Sequence, residues 1–215
     1  MENSIIDCLI QETTNYLECL TTATFNNLLP SFVDILNRES GQASSLNDDS
    51  YDELVSNLVA LLLDEAVCTE DFSLISKVVA QLVIKYPLFK QILSAFVKEG
   101  LDDVFKNQSR LSLEDREELL HQTTGLLSLL SDLVRVQALA PAAIMDVSSF
   151  IFQNSSHPIA VESLVTLWSS VMKWAPANVS LGAIKNIKNI PTRNMDDRVL
   201  IDDFLESAEV KKLVR

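Results

Sequence analysis

Glycine is the residue this chain almost does without. Four glycines stand among 215 residues, together with six prolines, and that scarcity removes whole classes of fold. Tight hairpin turns need residues that accept positive φ, and the loops that cradle phosphates in doubly wound α/β proteins need glycine for close backbone approach. Helices joined by Pro, Ser and Asp corners make neither demand. With 47% hydrophobic residues the chain can bury a substantial core. The expected fold class is therefore all-α: a compact multi-helix bundle or a short α-solenoid of antiparallel helix pairs, in a single domain over residues 1–215.

Residues 157–176, HPIAVESLVTLWSSVMKWAP, show the pattern most plainly. Pro158 suits a first helical position and Pro176 stops the helix, because a continuing turn would clash with its ring. Glu162, Ser163, Thr166, Ser169, Ser170 and Lys173 recur at helical spacing and form one polar stripe. Every other residue between the prolines is apolar except Trp174's indole N–H, so the helix is predicted to pack on more than one side, with Trp168 in the core.

Local signals divide the rest. Residues 3–37 read as two helices with Pro30 near the start of a new turn, and the polar stretch 38–50 as a loop. Ser50 and Glu53 have the spacing of a capping box opening an apolar helix. Thr69 with Glu70 and Asp71 reads as the next start, and Gly100 as the C-terminal cap of a helix that follows Pro87. Ser112 and Asp115 open a long helix through about Leu139. Asn194 with Asp196 and Asp197 opens a last helix over 194–215, which is expected to dock within the chain or in a partner's groove.

The net charge of −13 is unevenly spread. Residues 1–71 hold fourteen acidic side chains and one basic one, Arg38, and the remainder balances. An acidic N-terminal third repels nucleic acid and suits basic protein segments. Residues 163–195 contain no acid at all, while Lys173, Lys185, Lys188 and Arg193 form a basic strip with Trp174 beside it. No apolar run reaches the roughly 20 residues of a membrane span, and no basic-then-apolar leader opens the sequence, so an intracellular protein of nucleus or cytoplasm is expected. Cys8, Cys19 and Cys68 lack metal-type spacing and read as free thiols.

No nucleophile elbow, phosphate-binding loop, zinc-helix pair or C-x-x-C is present. Paired acids such as Asp102–Asp103 and Asp202–Asp203 suit helix starts or solvent faces and need no catalytic reason. The spans 70–100 and 141–175 each read as two helices around one corner, and in this they resemble HEAT and armadillo repeats. That resemblance implies a scaffold binding other proteins along its surface.

The function expected from these readings is a non-catalytic adaptor or bridging subunit of a multiprotein complex, with no cofactor and no metal. It would hold short helical or extended partner segments in helix-lined grooves. The candidate contact residues are Trp174, Lys173, Lys185, Lys188 and Arg193 on the strip, and Val199, Phe204 and Leu205 on the last helix. Homodimerisation is a further expectation from the apolar faces. Two alternatives belong to other classes: a nucleic-acid-associated protein using the 173–193 strip, and a helical enzyme or metal protein assembling Cys8, Cys19, Cys68, His121 or His157.

Overall fold

The computed structural model describes residues 2–39, 42–68, 73–106 and 112–214. The described residues form eleven α-helices and one 3₁₀ turn, with no strand. They fall into two compact units, residues 1–99 and 100–215.

The first unit holds α1 (Glu2–Glu18), α2 (Phe25–Ile35), the 3₁₀ turn Gln42–Ser45, α3 (Asp48–Cys68), α4 (Ser73–Lys85) and the start of α5 (Pro87–Lys106). Helix α3 packs on α1 and α4, burying Leu54, Val55, Leu58, Val59 and Leu62 on one broad stripe. Two tyrosines tie helix ends together through their hydroxyls: Tyr86 donates to the Val33 carbonyl at 2.6 Å and Tyr51 to the Leu36 carbonyl at 3.1 Å. Burial pushes both phenols up from their ordinary pKa. Arg38, the lone cation of residues 1–71, lies 4.8 Å over the Tyr51 ring and pairs with Asp48 at 2.8 Å.

Several boundaries differ from the sequence reading. Pro30 lies inside α2 rather than at its start. The proline faces solvent, where water can take the carbonyl it leaves unpaired, while Phe32, Ile35 and Leu36 hold the helix down by burial. The break falls earlier, at a turn where Thr21 and Thr24 bond each other's backbone N–H at 2.8 and 3.2 Å. Helix α3 starts at Asp48, so the 38–50 loop is shorter than expected. The cap is Asn47, whose side chain accepts from the Ser50 N–H at 2.8 Å, and Ser50 itself is buried inside the first turn. The start signal read at residues 69–71 lies outside the described residues.

Gly100 does not close its helix. No described glycine has positive φ, so the left-handed cap geometry is absent, and α5 continues to Lys106. The reason is the apolar row: Phe89, Leu93, Val97, Leu101 and Phe105 are all buried at intervals of four. Extending that row outweighs the roughly 1 kcal/mol that an interior glycine costs.

The second unit contains the end of α5, then α6 (Leu113–Arg135), α7 (Ala142–Gln153), α8 (Ala160–Val171), α9 (Ala177–Lys188), α10 (Met195–Glu206) and α11 (Ala208–Val214). Helix α8 is shorter than the 157–176 span, but it is the centre of the unit and touches α6, α7, α9 and α10. None of its residues is fully exposed, so even the polar stripe is partly covered. Ser163 is fully buried, and Glu162 pairs with Arg116 of α6 at 2.8 Å. At the other end Trp174 Nε1 donates to Ser131 Oγ of α6 at 3.1 Å. These two ties set α6 and α8 parallel, with α7 as the return between them.

Two caps match the sequence reading. Ser112 Oγ accepts from the Asp115 N–H at 3.1 Å and the Asn194 side chain from the Asp197 N–H at 2.8 Å. Helix α6 stops at Arg135, short of Leu139, and the stop has an unusual occupant. Gln137 has φ 64°, the left-handed position that usually calls for glycine. Its N–H donates to the Val134 carbonyl at 3.0 Å and that of Ala138 to the Leu133 carbonyl at 2.8 Å, the paired bonds of a Schellman motif. The expected last helix is two helices, parted at Ser207.

A candidate docking groove on the second unit

Helix α7 is charge-poor: in AAIMDVSSFIFQ the one ionisable side chain is Asp146. It buries only Ile144 and Ile151 completely, which leaves Met145 at 43% and Phe152 at 37% exposure. These two large apolar side chains stand seven residues apart, two turns along one face. Between α7 and α9 lies a cleft of about 230 Å³ with Leu164 and Trp168 of α8 as its floor. Ser148, Ser149 and Gln153 continue the α7 wall, and Ala183, Asn186 and Ile187 make the opposite wall on α9.

The floor is fixed. Trp168 is only 1% exposed, and its indole N–H donates to Ser148 Oγ at 2.9 Å. One hydrogen bond thereby satisfies a buried donor and sets the serine's position on the wall. The cleft is smaller than the roughly 300–1,000 Å³ usual for cofactor-sized molecules, and its size suits protein side chains. Sequence reading placed Trp168 in the core but did not single out Met145 and Phe152. The available signal was a helix of twelve residues with one charge, more apolar than a helix with one covered face needs to be.

None of the strip residues lines this cleft. Lys173, Lys185, Lys188 and Arg193 are all exposed, and no salt bridge reaches any of them among the described residues. Lys185 and Lys188 sit on the outer side of α9, turned away from the wall made by Ala183, Asn186 and Ile187. Trp174 is half-buried, held to Ser131 rather than projecting as a free aromatic. On α10, Phe204 is buried at 5% exposure and Leu205 half-buried, while Val199 and Met195 are exposed at 47% and 74%.

Among the described residues the other chemistry-bearing side chains do not assemble. Cys8 and Cys19 are exposed free thiols on the first unit, and the Cys68 side chain lies outside the described residues. Among the described residues no three His, Cys, Asp or Glu side chains come together. His121 is exposed. His157 is buried against Phe105, ring centroids 4.9 Å apart, and its Nε2 has no hydrogen-bond partner among the described residues. Burial, reinforced by the charge of Arg193, holds its pKa below the ordinary histidine value. No described helix is long and apolar enough to cross a membrane.

No protein-family model, curated protein or solved structure matches this chain.

Proposed function

We propose that the protein is a non-catalytic adaptor that holds a short segment of a partner protein in the α7–α8–α9 groove. The observation that carries this reading is the pair Met145 and Phe152, large apolar side chains left uncovered above a floor that Trp168 and Ser148 hold rigid. An uncovered apolar pair over a preorganised floor is what helix-in-groove recognition uses, since little ordering entropy is lost on binding. Bridging is the use to which a chain with two compact units would be put.

The experiment is affinity purification of the tagged chain from its native cells, beside a Phe152→Lys variant. Phe152 is partly exposed, so the substitution leaves the core intact. A few stoichiometric proteins retained by the wild type and lost from the variant are expected. Retention of the same set by both would refute the groove as the contact.

A further inference from the structure

Helix α10 carries a second uncovered surface, and none of its residues lines the α7–α8–α9 cleft. Its inner face buries Asp197, Ile201 and Phe204. On the opposite face Met195, Val199, Asp202 and Glu206 follow one another at intervals of four, three and four, the spacing of a helix–helix seam. All four are exposed, Met195 at 74% and Val199 at 47%. The seam runs about 16 Å at the helical rise, apolar over its first half and acidic over its second.

The acids stand where the helix itself gains nothing from them. Asp202, Asp203 and Glu206 crowd the C-terminal end, where the helix dipole already places partial negative charge and the last turn has no basic residue. Glu206 is three residues from Asp203 and four from Asp202, the spacings at which like charges on a helix repel. Arg198 pairs with Asp202 at 3.2 Å. No salt bridge reaches Asp196, Asp203 or Glu206 among the described residues, although Arg193 precedes the helix and Lys211 and Lys212 follow it. The helical neighbours of Val199 at three and four residues are Met195, Asp196, Asp202 and Asp203, so an apolar side chain seated on Val199 brings its own neighbours over three carboxylates. An incoming cation relieves repulsion that the free helix bears, and an incoming anion adds to it. We infer that the outer face of α10 receives a basic amphipathic helix of a partner protein, its apolar side chains on Met195 and Val199 and its Lys and Arg residues over Asp202, Asp203 and Glu206.

The test uses the full chain and a display library of 16-residue peptides unbiased in charge, selected at physiological salt. The ¹³C-methyl signals of the four methionines locate binding: Met195 reports this face and Met145 the groove. The expected result is net-positive peptides with apolar residues at helical spacing that move the Met195 methyl and leave Met145 in place. Their affinity should fall about tenfold in Val199→Ser, which removes an apolar contact, and at least as far in Asp203→Lys, Glu206→Lys, which sets like charges against the peptide. Unchanged indole signals of Trp168 and Trp174 report that each variant is folded. Neutral or acidic peptides at Met195 would overturn the basic occupant, as would basic peptides indifferent to Asp203→Lys, Glu206→Lys. Recovery of no peptide that moves Met195 would overturn the surface itself, while the groove reading would be judged separately on Met145. A Met195 shift driven by protein concentration alone would replace the partner by a second copy of this chain.

Discussion

Gln137→Gly should stabilise the second unit. At φ 64° a residue with a Cβ carries about 1–2 kcal/mol of backbone strain. Glycine relieves it but gains freedom in the unfolded chain, which takes back about 0.5–1 kcal/mol. The Gln137 side chain is exposed and makes no hydrogen bond among the described residues, so little packing is lost. The net gain is about 0.5–1 kcal/mol, or about 1–4 °C in Tm for a chain of this size. Urea unfolding followed by tryptophan fluorescence is the natural assay, because both tryptophans, Trp168 and Trp174, lie in the second unit. Gln137→Asn should gain roughly half as much, since asparagine tolerates the left-handed region, and Gln137→Val should lose stability. An order Val and Gln above Gly, the order of helix propensity, would refute the Schellman assignment and place Gln137 in ordinary helix.

The opposite substitution should also stabilise. Gly182→Ala, in the interior of α9 with open space around the new methyl, should add about 1 kcal/mol; a loss in urea unfolding would show that the space is filled. Ser131→Ala leaves the Trp174 indole N–H without its acceptor and should cost about 1–3 kcal/mol, with faster hydrogen exchange at that indole than at Trp168. His157 gives a pH dependence of definite sign. Its pKa is lowered in the fold, so the unfolded chain binds the proton first as pH falls. Stability from this group is complete above the ordinary histidine pKa of about 6.5 and is lost as pH drops from there through the folded value. Unfolding curves at pH 7.5 and 5 should therefore converge more closely for His157→Gln than for the wild type, and an unchanged difference would remove the assignment.

What the sequence made legible was what short-range chemistry decides. Ser112 and Asn194 were readable as caps because a cap involves a side chain and an N–H three residues away. The central place of α8 was readable because one narrow polar stripe leaves too much apolar surface for a single neighbour. Gly100 and Pro30 misled for a shared reason: each was read from its own backbone preference, while burial of Leu101 and Phe105 in one case, and of Phe32 and Ile35 in the other, carried the helix through. The tie of Trp174 to α6 was not readable because its acceptor, Ser131, is 43 residues away. The groove was hidden for a different reason. Met145 and Phe152 are unremarkable until it is known which face of α7 its neighbours leave bare.

The position of α8 also sets an order of events at the ribosome. Its neighbours α6 and α7 precede it in the chain, but α9 and α10 follow, and α10 ends at Glu206. At about 5–20 residues per second, the residues between the end of α8 and the end of α10 take about 2–7 s to be made. During that interval one flank of a helix with no fully exposed residue in the finished fold has nothing to lie against. The nascent chain thus passes through a stage at which Trp168, Leu164 and their neighbours are open to any holding chaperone, and substitutions that loosen α10 prolong that stage even where the finished fold tolerates them.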